Sequence, residues 1–156
     1  MNPIIFDFPD PTSLGSQLRD KLNGEEGKFL IHPFPDGETY LRVLTPVQGR
    51  DVIVNATLFH PNEWLLNLLF LANALKAQHA RQITLVAPYL SYMRQDKQFQ
   101  PGQGITSKYF AKLISNYFDS LITIDPHLHR WHLLNDIYSI PTKILHATDN
   151  IFVGIE

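Results

Sequence analysis

Apolar positions along this chain fall into short blocks separated by stretches rich in polar residues, proline and glycine. One kind of block has strand length and β-branched content: residues 3–8 (PIIFDF), 51–56 (DVIVNA), 81–87 (RQITLVA), 121–124 (LITI) and 142–145 (TKIL). Such runs predict buried strands. The other kind has helical spacing. Leu14, Leu18 and Leu22 line one face of a helix predicted over 12–22, and further helices are predicted over 61–79 and from 106 to about 117, with a short one near 131–137. In the second of these, Pro61 suits a first turn and Glu63 sits where the helix dipole favours a carboxylate. Leu65, Leu66, Leu68, Leu69, Phe70, Leu71 and Leu75 make its body apolar on nearly every side. That pattern predicts burial all round or a contact between subunits. The remaining pieces read as a turn over 24–27, a strand over 28–34, a turn at 35–38 (PDGE), a strand over 40–44 and a turn over 47–50. Strands alternating with helices predict an α/β fold, a mostly parallel sheet with helices on both faces.

The segment after residues 83–87 changes the picture from fold to chemistry. Pro88 ends the strand, and a polar stretch follows with Arg94, Gln95, Asp96, Lys97 and three more glutamines before Gly104. Thr106 or Ser107 is placed to cap the next helix. Strand, polar loop, helix is how an open parallel sheet builds a ligand site at the carboxyl ends of its strands. Guanidinium forks phosphate oxygens and ammonium adds charge, so these side chains suit a polyanion. A plain solvated loop is the competing reading.

Composition narrows the partners. A net charge of −2 supplies no basic field for nucleic acid, and the chain contains no cysteine, which removes disulfides and thiolate chemistry. The amino terminus lacks a basic segment of signal-peptide type, and the apolar run 64–72 is interrupted by Asn67, well short of the ~20 residues a membrane span needs. We expect a single cytoplasmic domain with no membrane or nucleic-acid partner.

Two side-chain groups stand out. Asp125, His127, His129 and His132 crowd the end of the strand over 121–124, where carboxylate and imidazole together can hold a divalent cation. Capping or solvated histidines are the alternative. His127 and His129 would also suit a metal-dependent hydrolase. Phe34, Asp36 and Glu38 flank the turn at 35–38, where a ring can stack on a base and two acids can accept from an exocyclic amine. A hairpin turn that uses Asp and Gly for backbone reasons explains the same residues. His60, His79 and His146 carry no distinguishing context, His32 stays undecided, and Trp64 and Trp131 read as packing residues.

Taken in order, FPDGE at 34–38, PYLSYMRQDK at 88–97, ITSK at 105–108 and DPH at 125–127 resemble the amino-terminal half of ribose-phosphate pyrophosphokinase, over residues 28–140. The resemblance implies a phosphoribosyltransferase-like fold and the transfer of diphosphate from Mg-ATP to ribose 5-phosphate. It implies that Arg94 and Gln95 contact ATP, that His127 is catalytic and with Asp125 meets Mg2+, and that Phe34, Asp36 and Glu38 reach the adenine of a neighbouring subunit in a homo-oligomer. Two features differ from the family pattern: Gln98, Phe99 and Gln100 replace an acid and further basic residues, and Pro126 replaces leucine. The acidic, Thr-Gly-rich loop that binds ribose 5-phosphate in the family has no counterpart in residues 1–156. We therefore expect one ATP-binding-type domain, inactive alone. A non-catalytic regulatory or assembly module is the alternative within the same family.

Overall fold

Parallel strands buried on both faces need crossovers, and this chain supplies them in sequence. A computed structural model describes residues 2–8 and 13–148. Its elements are β1 (Ile4–Asp7), α1 (Leu14–Leu22), β2 (Glu25–Gly27), β3 (Phe29–Pro33), β4 (Thr39–Val43), β5 (Asp51–Asn55), α2 (Leu65–Ala77), β6 (Gln82–Ala87), α3 (Thr106–Tyr117), β7 (Ser120–Ile124) and β8 (Thr142–Leu145). Six strands form one parallel sheet in the order β2-β1-β5-β6-β7-β8, and β3-β4 form a separate antiparallel hairpin.

The register aligns Ile4 and Phe6 with Val52 and Val54, then with Ile83 and Leu85, and Leu85 with Leu121. All of these are almost fully buried and join Leu68, Leu71 and Leu75 of α2 and Phe110, Ala111 and Ile114 of α3 in one core. Right-handed crossovers put α2 and α3 on this face, because both run from β5 towards β8. The connection through α1 runs the other way and covers the opposite face. Ile53, Thr84, Val86 and Ile122 on that opposite face are only half-buried. The α/β reading with helices on both faces holds, with the second face thinly covered away from α1.

Several boundaries differ from expectation. Residues 24–27 are not a turn: Glu25–Gly27 is the edge strand β2. Gly27 permits it, since a Cβ there would sit 2.5 Å from the Phe6 ring. The long helix begins at Leu65; Pro61–Glu63 forms a separate 3-10 turn, broken at Trp64, whose φ of −143° is not helical. Nor is it buried all round, for Leu66 is 59% and Phe70 40% exposed. Ile105, not Thr106 or Ser107, occupies the cap of α3, with no side-chain cap. The short helix near 131–137 shrinks to a 3-10 turn, Leu134–Asp136. The predicted turn at residues 9–11 and the chain after 148 lie outside the described residues. No helix among the described residues is long and apolar enough to cross a membrane.

Candidate functional site

Because β5, β6 and β7 run in parallel, the loops that follow them meet at one edge. They enclose a cavity of about 790 Å³. Phe59, His60, Asn62 and Glu63 come from the loop after β5; Tyr89, Ser91, Arg94 and Gln95 from the loop after β6; Asp125, Pro126 and His127 from the loop after β7. Four of the residues singled out in the sequence, Arg94, Gln95, Asp125 and His127, thus share one space. Arg94 is exposed, and none of the ion pairs among the described residues uses it, so its charge is available to a ligand. The Gln95 carbonyl accepts from the Ser107 N–H at 3.2 Å, which ties the loop to the first turn of α3.

Three non-glycine residues lining this cavity lie in the left-handed region: His60 at φ +47°, Tyr92 at +59° and Asp125 at +38°. Such conformations cost of order 1–3 kcal/mol each and persist only where the surroundings hold them. The holders are identifiable. The Tyr92 hydroxyl donates to Asn62 Oδ1. The Asp125 N–H donates to the Leu145 carbonyl at 3.0 Å, and its carboxylate accepts from His146 Nδ1 at 2.8 Å and the Ala147 N–H at 2.9 Å. The Ala147 N–H first, and His146 next, hold the Asp125 carboxyl below the usual carboxylate range. His146, which its sequence context left undistinguished, is therefore the partner that braces Asp125.

A second brace crosses between loops. Asp96 is 4% exposed, and its Oδ1 accepts from Arg130 Nη1 at 2.7 Å. The Arg130 guanidinium also lies 5.2 Å from the Phe99 ring centroid, with Lys97 Nζ 4.6 Å from the same ring. Trp131 does more than pack: its Nε1 donates to Ser107 Oγ at 3.3 Å. Trp64 likewise donates to the Phe59 carbonyl at 3.1 Å while packing against Phe8.

The other two groups stay apart from the cavity. Phe34, Asp36 and Glu38 sit exposed at the β3–β4 tip and do not line it. Asp36 Oδ1 accepts from the Glu38 N–H at 3.1 Å and Gly37 has φ +89°, so the turn reading accounts for Asp36 and Gly37. His32, undecided from sequence, stacks on Tyr40 at 4.5 Å, and Phe34 meets both rings edge-on. His129 packs edge-on against His127 with centroids 4.0 Å apart; His132 and His129 are both outside the cavity lining. Among the described residues no three histidine or acidic side chains are grouped to hold a metal ion. That excludes neither histidine from other work, but a hydrolase-type zinc centre has no third ligand here. The donor set does fit Mg2+ carried on phosphate oxygens, a hard cation that keeps its waters and takes one or two protein contacts.

Fold and loops together define an open parallel α/β domain with its ligand crevice at the carboxyl edge of the strands. The chain belongs to the family described as the N-terminal domain of ribose phosphate pyrophosphokinase, whose model matches residues 4–117. Among curated relatives, a ribose-phosphate pyrophosphokinase of Fusobacterium nucleatum is 32% identical over 148 residues, 94% of this chain and 46% of the relative. One from Mycoplasma genitalium is 36% identical over 113 residues, 72% of this chain and 34% of the relative. The crystal structure of phosphoribosylpyrophosphate synthetase from Mycobacterium smegmatis superposes with a TM-score of 0.86 at 25% identity, covering 99% of this chain and 52% of that one. The chain thus spans about half the length of these relatives or less.

Proposed function

We propose that this chain is the ATP-binding half of a ribose-phosphate diphosphokinase. The reaction moves the β,γ-diphosphoryl group of Mg-ATP to the 1-hydroxyl of ribose 5-phosphate: a new bond joins that oxygen to the β-phosphorus, the α,β-bridging bond breaks, and AMP leaves. The observation that carries the reading is the convergence of Arg94, Gln95 and His127 on one cavity at the ends of adjacent parallel strands. Diphosphoryl transfer asks the protein for positioning and charge more than for covalent chemistry. Arg94 would grip phosphate oxygens and Gln95 would orient the nucleotide. His127 would face the transferring group, and Asp125 would use the lone pairs left by His146 and Ala147 to reach the cation through water. Mg2+, when bound, neutralises phosphate charge. Phe34, Asp36 and Glu38 stand away from this chain's own cavity, which is consistent with their serving the adenine of a neighbouring subunit. That arrangement makes the working protein a homo-oligomer, and a cytoplasmic setting belongs to the same reading.

Calorimetric titration with Mg-ATP tests it. The wild-type chain should bind, and Arg94→Ala should weaken binding by roughly tenfold or more, since a hydrogen bond to a charged group contributes about 1.5–3 kcal/mol. Incubated with Mg-ATP and ribose 5-phosphate, the chain alone should release no AMP. Equal affinity of wild type and Arg94→Ala would overturn the assignment of the cavity.

A further inference from the structure

Ser91 stands three residues before Arg94 on the loop after β6. It is 5% exposed yet lines the cavity, and its Oγ has no hydrogen-bond partner. A buried hydroxyl left unpaired destabilises the fold, and folded proteins keep few of them. The other buried, unpartnered side-chain atoms among the described residues belong to Arg50, Asn55, Asp96, Thr123 and Tyr138, none of which lines this space. Ser91 alone directs an unused donor into it.

The loop also holds that donor still. Leu90 and Met93 on either side are 4% and 2% exposed, so both are anchored in the core. Tyr92 between them is held left-handed by its hydroxyl's bond to Asn62. The chain therefore maintains a strained turn that aims a solitary hydroxyl at the space shared by Arg94 and His127.

We propose that Ser91 is a further ligand-contacting residue, whose hydroxyl donates to a phosphate oxygen of the nucleotide gripped by Arg94. A hydroxyl is a neutral donor that meets an anion without adding charge, and its hydrogen bond to phosphate is of the short, charge-assisted kind. The same hydroxyl lacks a protein acceptor because its acceptor arrives with the ligand. This inference rests on the cavity being a nucleotide polyphosphate site.

The experiment compares wild type, Ser91→Ala and Ser91→Thr in the whole chain, by thermal melting without ligand and by calorimetric titration with Mg-ATP and with Mg-tripolyphosphate. Ser91→Ala should melt no lower than wild type, because it removes an unpaired buried group. It should bind both probes about tenfold more weakly, equivalent to ~1.4 kcal/mol. Ser91→Thr keeps the hydroxyl and should recover most of the affinity. A lower melting temperature for Ser91→Ala with unchanged affinity would make the residue structural and overturn the proposal. A loss seen with Mg-ATP but not with Mg-tripolyphosphate would move the contact to the nucleoside and overturn it as well. If wild type binds neither probe, the nucleotide reading of the cavity fails and takes this inference with it. That result is distinct from the case in which wild type binds and Ser91→Ala binds equally well.

Discussion

Arg130→Met separates the charge of the inter-loop brace from its packing. The methionine keeps an apolar stem against Phe99 and deletes the guanidinium that bonds Asp96. Only 1% of the Asp96 side chain is exposed, and its Oδ2 is already without a partner. Removing one member of a fully buried pair costs about 3–5 kcal/mol, because the charge left behind is uncompensated. The Arg130 side chain is 45% exposed, so solvent screens part of the interaction. We take roughly 2–3 kcal/mol as the loss after that discount. For a domain of this size each kcal/mol shifts the melting temperature by about 2–4 °C, so circular dichroism melts should fall by ~4–12 °C. Asp96→Asn added to Arg130→Met should restore much of the loss, since the stranded charge is gone; the coupling between the two sites should exceed about 0.5 kcal/mol. A melting temperature within ~2 °C of wild type for Arg130→Met would refute the brace, as would a double variant no more stable than the single one.

Two further outcomes follow from other faces of the molecule. Leu66 and Phe70, 59% and 40% exposed on α2, belong to a subunit contact in the oligomeric reading; Leu66→Glu with Phe70→Glu should shift light-scattering mass towards the monomer, and a wild-type chain already monomeric at high concentration would dismiss that contact. Asp51 is held below the ordinary carboxylate value by its hydrogen bond from Arg81 Nε at 2.6 Å, and further by that residue's charge. Its folded value is depressed, so its stabilisation is present above the unfolded pKa of about 3.9 and is lost as pH falls through the lower folded value. Asp51→Asn should therefore flatten the acid limb of stability against pH, and an unchanged limb would show that the pair contributes nothing.

Most of the sheet was legible because burial on the core face leaves a dense apolar signature. β1, β5, β6, β7 and β8 all coincide with such blocks to within two residues at either end. β2 was not legible, since Glu25, Glu26 and Gly27 offer no apolar residue; what makes it a strand is Phe6 from the next strand filling the space above Gly27. Arg50 adds to this edge by donating to both Glu25 oxygens and to the Asn2 carbonyl, partners 25 and 48 residues away. Contacts of that range leave no periodic trace. The break at Trp64 was hidden for a similar reason. Leucine spacing runs on through it, whereas the side chain's bond to the Phe59 carbonyl belongs to the loop before the helix.

The site divides along the same line between local and distant causes. Arg94, Gln95, Asp125 and His127 were nominated because charged and polar residues at strand ends mean ligand chemistry in a parallel sheet, and that rule needs only the order of elements. The parts that hold them in place depend on pairs the order does not supply: His146 with Asp125, Arg130 with Asp96, Asn62 with Tyr92. Each joins the loop after one strand to the loop or strand end beside it, so that three loops act as one surface. The left-handed residues say the same thing energetically. His60, Tyr92 and Asp125 are ordinary letters in a sequence, and neither a histidine nor a tyrosine favours positive φ. They adopt it where two of these cross-links pull the backbone round, at Tyr92 and at Asp125. Strain of this kind needs stabilisation from elsewhere in the fold, and the densely packed face beneath the cavity supplies it: Leu85, Ala87 and Leu121 are all fully buried there. The tight core under β6 and β7 is therefore what allows the loops above it to keep a strained ligand-binding geometry.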